Sequence, residues 1–127
     1  MVMGSGESGA KTSGKRIFEL YLHPDQKEYD WVVIKGFELD KHLRGAGLYE
    51  RTLSLKDKEV KRWLGHPETY PEEYKDKAIY LWKSQQDVGG YREVACLIWY
   101  DERVVVISRW LDYYWSGDSP VLLAPEE

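Results

Sequence analysis

Residues 91–110, YREVACLIWYDERVVVISRW, hold two β-rich runs separated by the acidic pair Asp101-Glu102. Val94, Ile98 and Val104-Val105-Val106-Ile107 are β-branched, and Tyr91, Trp99, Tyr100 and Trp110 are aromatic. These are the side chains that suit a pleated, half-buried surface. With Asp101-Glu102 as a two-residue turn, strands near Tyr91–Tyr100 and Arg103–Tyr114 pair antiparallel. Tyr100 then faces Arg103, Ile98 faces Val105 and Cys96 faces Ile107, while on the opposite side Trp99 meets Val104 and Leu97 meets Val106. Neither acid favours the positive φ that such a turn demands, so a four-residue loop is the alternative, and it would change the register.

Working upstream, Ala78 to Ser84 is expected to be extended and Val88-Gly89-Gly90 to turn the chain. A firm helix is expected over Leu55 to Leu64. Ser54 is its N-cap, Asp57 stands near the positive end of the dipole, and Leu55, Val60, Trp63 and Leu64 form a buried stripe. Gly65-His66-Pro67 stops it. Pro71 to Tyr74 suits a further helical turn. Nearer the start, period-two alternation predicts one strand over Arg16 to Leu22 and a second over Trp31 to Leu39, joined through a turn at His23-Pro24-Asp25. After Asp40, only a short helical turn at Lys41 to Arg44 is expected, because Gly45-Ala46-Gly47 opposes a longer one. The expectation is an α+β fold: a mainly antiparallel sheet of about five strands, with one firm helix (about 55–64) packed on one face. Residues 1–15 read as a disordered leader, 16–115 as a single domain and 116–127 as a flexible acidic tail. Within that tail, Val121-Leu122-Leu123 would add an edge strand or dock in a groove at most.

The 127 residues suffice for one core, and 43% hydrophobic with 31% charged residues is an ordinary globular balance. A net charge of −4 argues against nonspecific nucleic-acid binding. Val104 to Ile107 is too short to span a bilayer, and no charged segment followed by an apolar one opens the chain, so a cytoplasmic protein with no membrane partner is expected. The single cysteine, Cys96, cannot make an intramolecular disulfide or build a zinc site alone, and it reads as a buried small hydrophobe. Near-matches to a phosphate loop at residues 4–12 and 9–16 lack the preceding strand that would aim their amides. No cofactor and no metal site are expected.

The apolar character of both hairpin faces carries the functional expectation. A chain this short is expected to leave part of that ribbon uncovered. The leading reading is a non-catalytic binding module that presents an aromatic-rich sheet face to a protein partner or to a second copy in a homodimer. Its expected binding residues are Trp82, Trp99, Arg109, Trp110, Tyr113 and Trp115, since Trp, Tyr and Arg dominate interface energetics. Continued alternation would set Trp110 and Tyr114 on one face and Arg109, Tyr113 and Trp115 on the other. One alternative is a small-ligand pocket between sheet and helix, lined by Trp63, Trp82 and Trp99. Another is a small enzyme using His66 with Glu68 or Glu72, because imidazole beside a carboxylate can run acid–base chemistry. The histidines His23, His42 and His66 show no metal-ligand spacing.

Overall fold

The hairpin forms in the register that its two-residue turn dictates. In a computed structural model of the chain, residues 18–28 and 33–126 are described. The expected leader, the first residues of strand one, and Trp31 lie outside them. Strands β4 (Tyr91–Tyr100) and β5 (Arg103–Trp110) pair as Tyr100 with Arg103, Ile98 with Val105, Cys96 with Ile107, Trp99 with Val104 and Leu97 with Val106. Asp101 and Glu102 adopt φ of 55° and 58°, the left-handed conformation that a tight hairpin turn requires. The preceding hairpin joins β3 (Ile79–Val88) to β4 through Gly89 and Gly90, which take positive φ without a Cβ penalty. Between Leu81 and Gln85 the β3 register slips, and the extra residues form a bulge. The bulge is held because the Lys83 N–H donates to Leu53 O at 3.0 Å and the Leu55 N–H donates to Ser84 Oγ at 2.8 Å.

The sheet continues beyond β3, with a correction to the sequence reading. Val121–Leu123 forms β7, which lies between β1 (Glu19–Tyr21) and β3. The segment expected to be a loose tail is thus an interior strand, antiparallel to β1 and parallel to β3. All three of its side chains are fully buried. The strand order is β1-β7-β3-β4-β5, mostly antiparallel with one parallel pair, in an α+β fold. Ala124 secures the end of β7: its N–H donates to Arg51 O at 2.7 Å, and its carbonyl accepts from Arg51 Nε at 2.9 Å.

Two helices, not one, cover this sheet, on opposite faces. The expected strand over Trp31 to Leu39 is corrected: among its described residues only Ile34–Lys35 (β2) forms a strand, and Gly36–Gly45 forms helix α2. Leu39 and Leu43, one helical turn apart, are both fully buried, so helical spacing prevails over alternation. The first free amides of α2 find carbonyls across the chain, Gly36 N–H to Tyr113 O at 2.9 Å and Phe37 N–H to Leu111 O at 3.1 Å. Gly36 admits this approach because a Cβ there would stand 2.6 Å from the Trp115 ring. At the other end Gly47 takes φ of 73°, and the Leu48 N–H returns to Leu43 O at 2.9 Å, closing a Schellman motif. Helix α3 (Lys58–Gly65) starts later than expected. Asp57 caps it by accepting from the Glu59 N–H at 2.8 Å, while Ser54 is occupied with the Lys56 N–H.

The His23-Pro24-Asp25 turn extends into a short helix, α1 (Pro24–Glu28). Its buried Gln26 donates to Ser116 O and Ser119 O and accepts from the His23 N–H, which leaves its amide satisfied. Helix α2 packs with Tyr80, Trp82, Cys96, Val121 and Trp115 on one face of the sheet. Helix α3 packs with Tyr70, Tyr74, Leu81, Leu97 and Val104 on the other.

Candidate functional site

Cover is complete over β7, over Ile79 to Trp82 of β3 and over Val94 to Leu97 of β4, and incomplete over the outer half of β5. On the α3 face, Val104 is buried, but Val106 is 41% exposed. On the α2 face, Ile107 is 43% exposed. Beside them runs a groove of about 400 Å³, bounded by Leu55, Gln85, Ala95, Val106 and Ser108. It leads to a notch of about 290 Å³ that Glu93, Arg109, Trp110 and Tyr113 line.

The register builds that notch. Glu93 faces Trp110, so the Trp110 indole N–H donates to Glu93 Oε2 at 2.6 Å, and Ser108 Oγ donates to Oε1 at 3.1 Å. Tyr91, two residues away on the same face of β4, stacks on Trp110 with centroids 4.8 Å apart. Strand β5 ends at Trp110, because the Tyr113 N–H turns back to Trp110 O at 3.0 Å. Alternation therefore does not continue to residue 115, as expected from the sequence. Tyr113 approaches Trp110 at 5.7 Å instead of facing away. Tyr114–Trp115 becomes β6, paired with β2.

The expected binding residues divide accordingly. Trp110 and Tyr113 share the notch, and Arg109 sits at its rim, donating to Tyr114 O at 2.8 Å with its guanidinium 5.5 Å from the Trp115 ring. Trp99 is half-buried at the other end of the hairpin, stacked on Tyr70 beneath the Lys75 ammonium. Trp82 and Trp115 are fully buried in the α2-side core, where they have no surface to offer a partner. The Trp82 indole is bound to Asp40 at 2.8 Å. The expected pocket between Trp63, Trp82 and Trp99 is not formed, since Trp63 and Trp82 lie on opposite sides of the sheet. His66 stands in solvent, its Nδ1 3.5 Å from Glu68, and Glu72 pairs with Lys75 at 3.0 Å. None of the three lines the groove or the notch.

Tyr91 and Glu93 were missed from the sequence. Their signal was the hairpin register, which places both beside Trp110. Distance in sequence also hid a histidine pair. The His23 and His42 rings meet at 4.4 Å, and His42 shares a 2.6 Å hydrogen bond with the Tyr21 hydroxyl. Burial, reinforced by His23, holds the His42 imidazolium below its usual range. Among the described residues no group of three or more His, Cys, Asp or Glu is arranged to hold a metal.

A wider cleft of about 860 Å³ opens between residues 50–57 and 124–126. Its cations Arg51, Lys56 and Lys83 are offset by Glu50, Asp57 and Glu126. Arg51 and Lys83 already donate to the backbone carbonyls of Ala124 and Glu50. Size alone does not select a ligand, and this lining offers neither an unbalanced charge nor an apolar anchor. The aromatic groove offers the anchor. No helix among the described residues is long and apolar enough to cross a membrane. The chain matches no family model, no curated protein and no solved structure.

Proposed function

We propose that the protein is a non-catalytic interaction module that accepts an extended segment along the outer edge of β5. One observation carries this reading. β5 is an eight-residue edge strand whose centre is Val104-Val105-Val106-Ile107, and no strand pairs with its outer side among the described residues. Edge strands are ordinarily blunted by lysine, proline or a bulge, because an open apolar edge invites pairing. This one has arginines only at its ends, Arg103 and Arg109.

The direction of its hydrogen bonds supports the reading. The Leu111 N–H donates to Arg92 O at 3.0 Å, so odd-numbered residues of this segment turn toward β4. The amides and carbonyls of Val104, Val106 and Ser108 therefore turn outward. An added strand would satisfy them and cover Val106 and Ile107. The groove and the Tyr91–Trp110–Tyr113 shelf would receive its side chains. Protein segments are the ligand class this arrangement favours over small molecules.

The test is amide exchange at the three outward groups, with a synthetic peptide of residues 103–110 as the probe. Saturating peptide should slow exchange at Val104, Val106 and Ser108. Val106→Pro should abolish the effect while leaving the fold intact, since that amide faces away from β4. Exchange that is unchanged at saturating peptide would reject the proposal.

A further inference from the structure

We infer that the strand completing β5 is β5 of a second copy, related by a two-fold axis through Val105. This rests on the strand-addition reading and adds the occupant and its register. In a two-fold antiparallel pairing with the axis normal to the sheet, facing residues share parity. The axis then passes through Val105, Val106 or Ile107.

Charge and hydrogen bonding separate the three. An axis at Val106 forms the longest ladder but sets Arg103 opposite Arg109 of the second copy, twice, and facing like charges oppose pairing. An axis at Ile107 pairs Val104 with Trp110 of the second copy, whose carbonyl is already taken by the Tyr113 N–H. An axis at Val105 uses only open groups, pairing Val104 with Val106 of the second copy. It carries the turn that holds the exposed Asp101 carboxylate toward Arg109 of the second copy on both sides of the axis. Arg109 binds Tyr114 O through one terminal nitrogen, leaving its other donors for that carboxylate. The stem of Arg103 then lies across Ile107 of the second copy.

Shape agrees with charge. Helix α3 covers β5 at its Val104 end only, and the groove lies at the Ser108 end. The axis sets the covered half of each copy beside the open half of the other. The result is a continuous ten-stranded sheet with no apolar edge at its centre.

Disulfide trapping in the full chain tests both occupant and register. Facing residues on the axis at a non-hydrogen-bonded position have Cα atoms about 4.5 Å apart, within disulfide range. The native Cys96 is buried and does not compete. Mild oxidation of Val105→Cys should give a cross-linked dimer as the main product, and Val106→Cys and Ile107→Cys should give little. Wild-type protein should sediment as a dimer at high micromolar concentration. Asp101→Arg should weaken that dimer roughly tenfold, and Asp101→Arg with Arg109→Asp should restore it. A wild-type monomer under those conditions overturns the second copy as occupant, and a peptide that still slows exchange at Val104, Val106 and Ser108 of that monomer leaves strand addition standing. A dimer trapped best at position 106 or 107, or at none of the three, overturns the register.

Discussion

Glu102 occupies a conformation its side chain resists. With φ of 58° it sits in the left-handed region, which costs a residue bearing a Cβ about 1 kcal/mol or more. The turn persists because eight cross-strand pairs between β4 and β5 hold the register, and a one-residue slip of β5 would turn Val104 out of the core. Glu102→Gly removes the strain and should raise stability by about 1 kcal/mol, or roughly 3–5 °C in melting temperature. Gly89→Ala, at φ of 59° with open space around it, should shift stability by a similar amount in the opposite direction. Thermal melts of the two variants check the pair, and a destabilised Glu102→Gly would place the strain elsewhere. The same residue explains why the register could be read from sequence but the turn was in doubt. Pairing follows from burial on two faces, which the apolar pattern displays. Turn type follows from φ, and propensity argued against these two acids.

Among the elements, β7 shows what a pattern of alternation conceals. Val121, Leu122 and Leu123 are all buried because β7 is flanked by β1 and β3 and covered on both faces. Such a strand does not alternate. Four apolar residues between Pro120 and Pro125 carry no period at all, so a short acidic tail was the natural reading. Helix α2 failed for the opposite reason, since Val33, Phe37 and Leu39 fit a two-residue period well enough to mask Leu39 and Leu43. Phe37 is in fact half exposed, on the outer side of the helix. The interior position of β7 has a measurable consequence. Leu122 fills the α3-side core beside Leu53 and Leu81. Leu122→Ala should cost about 2–5 kcal/mol, whereas Glu126→Ala, exposed four residues later, should stay within about 0.5 kcal/mol. Equal, small effects in denaturant titrations would mean that the terminal segment is not part of the cooperative sheet.

At the scale of the whole molecule, the sheet is a partition between two cores, with its open side at β5. Part of the candidate site was legible in this sense: Trp110, Tyr113 and Arg109 lie near that side, at the end of the hairpin's second strand. Trp82 and Trp115 were not, because a tryptophan's parity names its face without saying what covers the face. Cys96 reports on that cover. It sits mid-sheet on the α2 side, fully buried, with its thiol donating to Leu97 O at 3.7 Å. Burial pushes the thiol up to about 12. At pH 8 only on the order of one folded molecule in ten thousand would carry the reactive thiolate, and that thiolate would still be enclosed. A thiol reagent should therefore reach Cys96 only when the sheet opens. If the two cores melt together, opening is global, and protection should correspond to the whole unfolding free energy, about 5–15 kcal/mol for a domain of this kind. The labelling rate should then rise with denaturant along the same slope as the loss of tryptophan fluorescence. Labelling that proceeds in water at a rate insensitive to denaturant would mean that β4 is exposed by a local motion, with one core opening while the other holds.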